Sequence, residues 1–429
     1  YKILEQGKYF IWWSERTGKG NYYLYDHNGK LLNRITKGES LVAGNIVHVD
    51  TLKREMVFSG YGNEEGINPY YTFFYKARLD GKEQVLLTPG NGNHELTLSG
   101  DRQYAVDKYS SMDMMNVLSI ENPRKNFKVD QMDGSDLRQA GWQPPTLLKV
   151  KAADGQTDLY GLMYLPSHLD KSKKYPIISN VYPGPQDDQI PQSFVLDDNG
   201  NQSLAELGFI VINVAPRGSS PLRGHDFYCF SYGNLRDYPL ADDKYVIEQL
   251  AKEYPYIDLD RVGIYGHSGG GFMAAAAICT YPEFYSAAVA SAGNHDNNMY
   301  NKGWVEIHFG VQERKKMVKD SLGNEHEEIT YHTSSKTNMD LAKNYKCGLL
   351  LVTGDMDQTV HPAHTMKMAN ALIKAGKNFD MLVLPGSTHG YGKIAEDFYE
   401  RKLWHHFARL LLGDSSADYQ TDLDYFMKR

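Results

Sequence analysis

Ser268 lies in Gly266-His267-Ser268-Gly269-Gly270, and its flanks decide what that hydroxyl can do. Upstream, Val262 to Tyr265 is short, apolar and β-prone, which reads as a buried strand. Downstream, the Phe-Met-Ala-rich run from Phe272 forms helix readily, and Pro282 marks its end. A serine on a tight turn between strand and helix has the setting of a nucleophile elbow, with its hydroxyl clear of the sheet. A serine hydroxyl attacks weakly at neutral pH, so it needs a base, and the base needs an orienting group. In folds built around such an elbow the acid follows the serine along the chain and the histidine comes last. LLLVTGDMDQTVHP offers Asp355 and Asp357 beyond one apolar strand, and MLVLPGSTHGYG offers His389 beyond the last. Acyl transfer also needs donors aimed at the developing oxyanion. The Gly269 amide is one. Tyr182, in NVYPGPQDD, either donates its hydroxyl as the second or packs on the sheet edge, and the residues alone leave both open. His267 is expected to pack or hydrogen-bond rather than titrate.

These groups must be positioned by a sheet. From about residue 140, near-continuous apolar strands (YPIISNVY, GFIVINVAP, RVGIYG, YSAAVASAG, GLLLVTGD, FDMLVLPGS) alternate with helical patterns such as LADDKYVIEQLAKEY and HTMKMANALIKAG. That alternation predicts an α/β fold, a doubly wound, mostly parallel sheet covered on both faces, with ligands at the carboxyl ends of its strands. The first 140 residues read differently. LYDHNGKLLNRITKG and YKARLDGKEQVLLTPG share a strand, an Asn-Gly or Asp-Gly turn, a second strand and Thr-x-Gly, in register at Gly29 and Gly81, Thr36 and Thr88, Gly38 and Gly90. A repeat of about 50 residues made of short strands predicts β-propeller blades. Three blades or fewer cannot close a ring, so the propeller is expected to be incomplete here, with its N-terminal part upstream. The expected domains are therefore 1–140, late blades, and 141–429, an α/β-hydrolase unit.

The chain has 429 residues, a formal net charge of −7 and pI near 6.1, which argues against a general nucleic-acid binder. Cys229, Cys279 and Cys347 are too few and too odd a set for a disulfide framework. Cys279 and Cys347 are expected in the core. No apolar run is long enough for a membrane span. His361 and His364 have metal-like spacing without a third ligand, so no metal is assigned, and no cofactor is expected. Glu64 and Glu65 are expected in a solvated loop.

Taken together, KKYPIISNVYPGP, APRGSS, YGNLRDYPLADD, YPYIDLDRVGIYGHSGGG, GDMDQTVHP and LPGSTHGYG resemble the prolyl oligopeptidase family of serine peptidases, in its dipeptidyl peptidase IV branch. The likeness runs nearly throughout 145–413, and NPYYTFFYKARLDGKEQVLLTPGNGNHELTLSGDRQYAVDKYSSMD resembles the family's late propeller blades. It implies a peptidase acting on short peptides, with Ser268, His389 and Asp357 rather than Asp355 as the triad, and Tyr182 with Gly269 at the oxyanion. A homodimer through the hydrolase domain and its flanking segments is a further implication. A periplasmic or secreted location would suit the processing of external peptides. Three departures bear on substrate choice. Many members carry a bulky residue after the nucleophile, where this chain has Gly269. Many have Asn in DDNV, where this chain reads DQTV with Thr359 before Val360. The usual aromatic lining is replaced by NHDNNMYNKGWVEIHFG, in which Tyr300 and Trp304, four apart, are expected to share a helix face and wall the pocket. The paired glutamates with which the family reads a free amino terminus should lie upstream. The alternatives are an acylaminoacyl peptidase or esterase using the same triad, and a non-catalytic binding protein.

Overall fold

The computed structural model describes residues 1–121, 127–185, 187, 189–196 and 198–415, so the last residues of the expected second domain, 416–429, lie outside the described residues. The chain divides into two compact units: Tyr1–Leu147 with Gln189–Asp198 and Ser220–Cys229, and Leu148–Asp188 with Asn199–Ser219 and Phe230–Arg429. The break after Leu147 falls a few residues beyond the expected one, and two later segments group with the first unit.

The first unit contains three four-stranded antiparallel sheets in chain order. They are formed by Lys2–Leu4, Tyr9–Ser14, Asn21–Asp26 and Leu31–Arg34; by Val42–Asp50, Glu55–Tyr61, Phe73–Arg78 and Gln84–Leu86; and by Asn93–Leu98, Ala105–Ser111, Met114–Glu121 and Phe127–Gln131. The repeat seen in the sequence has a physical cause. Thr36 and Thr88 are fully buried, and each hydroxyl accepts a hydrogen bond from a strand amide, that of Tyr22 (3.1 Å) and that of Phe74 (2.9 Å). Tyr22 and Phe74 are themselves equivalent positions in the two copies. Gly29 and Gly81 sit in the turns at φ of 79° and 69°, a region that glycine enters without strain. Glu64 is not simply solvated, because its carboxylate accepts from the buried Tyr75 hydroxyl at 2.7 Å.

The second unit is built on one eight-stranded sheet. Numbered along the chain within it, the strands are β1 (Thr146–Lys151), β2 (Asp158–Tyr164), β3 (Tyr175–Asn180), β4 (Ile210–Val214), β5 (Ile257–His267), β6 (Ala287–Ser291), β7 (Leu349–Gly354) and β8 (Asp380–Leu384). Their spatial order is β1-β2-β4-β3-β5-β6-β7-β8. β2 runs antiparallel to β4, and every pairing from β4 to β8 is parallel. The order reverses around β3: β4 lies on one side of it and β5 on the other. That makes the carboxyl ends of β3 and β5 a topological switch point, where open α/β sheets bind ligands. The main helices are α1 (Leu240–Glu253), α2 (Gly269–Thr280), α3 (Lys302–Phe309), α4 (Ala363–Lys374) and α5 (Lys393–Phe407). From Gly270 to Cys279, α2 is buried on every face, as an all-apolar helix must be. Burial pushes the Cys279 thiol up to about 12, so it packs as an inert apolar group. Cys347 is exposed, contrary to the expectation that it joins the core, because it precedes β7 in the loop. An exposed hairpin, Gln312–Lys319 with Glu325–His332, follows α3.

Candidate active site

Ser268 stands between β5 and α2 with φ 58° and ψ −117°, a conformation that a non-glycine residue holds only when its surroundings impose it. Here they do. The Ser268 amide donates to the Ser291 carbonyl of β6 at 2.8 Å, and the Ser268 carbonyl accepts from the Phe272 amide at 3.0 Å. The two flanking glycines are required by a single neighbour, the Val181 carbonyl at the end of β3. A Cβ at Gly266 would lie 2.3 Å from that oxygen, and one at Gly270 would lie 2.0 Å from it. Gly269 is different: a Cβ there meets nothing closer than the Tyr182 ring at 3.9 Å.

Asp357 and His389 come together from the loops after β7 and β8. His389 Nδ1 lies 2.7 Å from Asp357 Oδ2, while the amides of Thr359 and Val360 donate to Oδ1 at 2.8 and 2.9 Å. Asp357 is buried, so three donors hold its carboxylate and fix the imidazole it faces. Asp355, the other candidate, is exposed and accepts instead from the Gly386 amide at 2.6 Å, bracing the start of the histidine loop. The Ser268 hydroxyl makes no hydrogen bond to His389 among the described residues. The two are linked through His267, whose ring lies 4.6 Å from the His389 ring.

His267 belongs to a clasp that sequence reasoning did not find. The Ser291 hydroxyl is hydrogen-bonded to His267 Nδ1 (3.0 Å) and to the Tyr391 hydroxyl (2.6 Å). Tyr391 lies two residues beyond His389 and also holds a positive φ, 54°. Ser291 thus touches the nucleophile's turn with both its carbonyl and its hydroxyl, and reaches the base's loop through Tyr391. Burial, with the neighbouring His389, lowers His267 to about 4, so it stays neutral near pH 7. As expected, it hydrogen-bonds rather than titrates.

Tyr182 and Gly269 sit side by side at the switch point. The Tyr182 hydroxyl makes no hydrogen bond to a described residue. Burial first, then Asp187 and Tyr300, raise its pKa, which keeps the proton on the oxygen as a donor. Ser268, Gly269 and Tyr182 share one cleft with Tyr300, Trp304, Phe272, Leu235 and Asn294. Tyr300 and Trp304 do wall it, but not from one helix face. Tyr300 precedes α3, whose first turn is capped by the Asn301 side chain accepting from the Trp304 amide at 3.0 Å. The two rings meet edge to face at 5.3 Å. Thr359 is exposed and Val360 buried, and neither lines this cleft. Arg217 has a structural place: it pairs with buried Asp242 at 2.7 Å and with Asp154 at 2.9 Å. Among the described residues no three His, Cys, Asp or Glu side chains are grouped to hold a metal, and no helix is long and apolar enough to cross a membrane.

Residues 196–415 match the model of the prolyl oligopeptidase family, and residues 1–116 match that of the dipeptidyl peptidase IV N-terminal region. The chain is 28% identical to human dipeptidyl peptidase 8 over 388 residues, covering 87% of this chain and 41% of that protein. The mouse dipeptidyl peptidase 8 gives the same identity, with 42% of its length covered. The crystal structure of Porphyromonas gingivalis dipeptidyl peptidase 4 superposes with a TM-score of 0.79 at 23% identity, over 96% of this chain and 55% of that one. The chain therefore spans about two fifths of the length of the curated relatives it matches.

Proposed function

The chain belongs to the prolyl oligopeptidase family, and from that premise we propose that it is a serine peptidase that cleaves short peptides from an acyl-enzyme, as a dipeptidyl exopeptidase. The observation that carries this reading is the strained Ser268 at the carboxyl end of β5, beside a His389–Asp357 pair whose second ring nitrogen has no described partner. Ser268 Oγ attacks the peptide carbonyl. His389 Nε2 takes the hydroxyl proton and then delivers it to the departing amine. Asp357 keeps the imidazole in the right tautomer and stabilises its charged form. The Gly269 amide and the Tyr182 hydroxyl hold the oxyanion. Water then takes the place of the amine and releases the acyl group. A hydrogen bond between the Ser268 hydroxyl and His389 Nε2 forms as substrate fills the cleft. The dipeptidyl step rests on the N-terminal match and on the names of the relatives.

A second reading, acylaminoacyl peptidase or esterase, is favoured by Gly269, where many members of the family carry a bulky residue. Initial rates on Gly-Pro chromogenic amides with free and acetylated amines, beside a Ser268→Ala control, separate the two. Turnover of the free amine alone supports the dipeptidyl reading, and turnover of the blocked amide supports the second. Equal rates with Ser268→Ala would remove both. Failure of Ser268 to react with an organophosphonate would return the protein to a binding role.

A further inference from the structure

APRGSS and YGNLRDYPLADD supply no group to the triad or the oxyanion, yet both converge on one short segment of the site. That segment is Ser179 to Pro183, the end of β3 and the turn beyond it. At its middle, the Val181 carbonyl seats the turn of Ser268 against Gly266 and Gly270, and Tyr182 carries the hydroxyl assigned to the oxyanion. Each end of the segment is tied by one buried hydroxyl. The Ser179 hydroxyl donates to Asp243 Oδ1 at 2.5 Å, and the Tyr238 hydroxyl donates to the Pro183 carbonyl at 2.8 Å. Tyr238 lies two residues before α1 and Asp243 in its first turn, so both ties lead to one element.

That element is anchored in turn. Asp243 Oδ2 accepts from the buried Tyr285 hydroxyl at 2.6 Å, just ahead of β6. Its neighbour Asp242 accepts from Arg217 at 2.7 Å and from the Ala153 amide at 2.9 Å. Gly218, at φ 85°, leaves room for the Tyr238 ring, which a Cβ there would meet at 2.6 Å. Burial above all raises the pKa of Tyr238 and of Tyr285, so each keeps its proton and donates. Val181, Tyr182 and Pro183 share a small cavity with Asp243, so close packing alone does not fix the segment on that side. We propose that Asp243 and Tyr238 are positioning residues for the oxyanion, setting where the Tyr182 hydroxyl stands relative to Ser268. This rests on the serine-peptidase reading above and deepens it. A donor to the oxyanion acts only within hydrogen-bond reach of the charge as it develops. Slack in the segment that carries it therefore costs kcat rather than KM.

The test uses full-length protein carrying Tyr238→Phe or Ser179→Ala, each alone and combined with Tyr182→Phe. Ser179→Ala cuts the tie to Asp243 with a smaller change than Asp243→Asn, which serves as a third variant. The readouts are kcat and KM on the amides above, the rate at which a fluorophosphonate labels Ser268, and thermal unfolding. Each variant alone is expected to lower kcat and the labelling rate by about tenfold, with KM held. In the Tyr182→Phe background that loss is expected to vanish, because no hydroxyl is left to place, while the fall in unfolding midpoint persists. An equal loss of rate in both backgrounds, or a lowered midpoint with unchanged rates, overturns the proposal. The two levels separate cleanly. If Tyr182→Phe slows the enzyme but Tyr238→Phe and Ser179→Ala do not, the positioning assignment alone falls. If Ser268 is not labelled and no amide is turned over, the peptidase reading falls and takes the assignment with it.

Discussion

Each unit sets a histidine against a buried aspartate, and the two pairs differ in what they leave over. In the blades, His94 Nδ1 lies 2.8 Å from Asp107 Oδ2, and Nε2 lies 2.9 Å from the Gly90 carbonyl. Both side chains are enclosed, and the rings of Phe73 and Tyr109 flank the imidazole at 5.1 and 4.8 Å. In the hydrolase unit, His389 Nδ1 meets Asp357 at 2.7 Å, but the imidazole is a quarter exposed and its Nε2 has no described partner. The same two residue types therefore do opposite jobs. With both nitrogens engaged, the pair ties one strand to the next. With one nitrogen spare, it can take a proton from a hydroxyl and pass it on.

The two acids should break this comparison most visibly. Asp357→Asn is expected to lower kcat by roughly 10⁴, as loss of the orienting acid does in serine peptidases, and to move the unfolding midpoint little. Asp107→Asn is expected to do the reverse. Activity per folded molecule stays, while stability falls by about 1–3 kcal/mol as a buried hydrogen-bonding group loses its match. Steady-state kinetics and thermal unfolding on both variants decide the matter. Full kcat in Asp357→Asn, or a lost kcat in folded Asp107→Asn, would erase the distinction.

Tyr182 extends the comparison from nitrogen to oxygen. In the blades the buried Tyr75 hydroxyl already donates to Glu64, whereas the Tyr182 hydroxyl has no described acceptor. Tyr182→Phe is expected to cut kcat by roughly 10² to 10³ with KM and the unfolding midpoint nearly unchanged, because the bond it removes exists only with the oxyanion. A drop in stability without a drop in kcat would instead make Tyr182 a packing residue.

How far these placements could be read in advance depended on how locally the physics is written. Gly266, Ser268 and Gly270 are legible because one turn imposes them all, and the blade repeat is legible because Thr36 and Thr88 each bond an amide fourteen residues back. The hydrolase sheet is legible because its buried strands are apolar runs of strand length. Spacing alone puts Tyr300 on a helix face, but Asn301 intercepts the helix as its cap. The hairpin after α3 carries no apolar alternation. Its strands are joined by charge, with Lys315 reaching diagonally to Glu327 at 3.4 Å and Lys319 facing Glu325 at 3.4 Å, so hydrophobic periodicity passes over it. The apolar strand that follows it points Cys347 to the core, although the core begins two residues later, at Leu349.

Ser291 shows the same limit at the site itself, and yields the smallest of the expected effects. Nothing in VASAG marks its serine, because its partners come from the end of β5 and from the loop after β8. The clasp it makes through His267 and Tyr391 sets the spacing between the turn of Ser268 and the loop of His389. Small displacements of reacting groups weigh heavily on rate, so Ser291→Ala is expected to lower kcat by about tenfold, with KM held. Tyr391→Phe opens the far end of the same chain and should fall by a similar factor. Because both remove one connection, the double variant should lose little more than either single one. Independent, multiplying losses would mean that the two hydroxyls act separately, and an unchanged kcat with lowered stability would reduce the clasp to the kind of role His94 and Asp107 play in the blades.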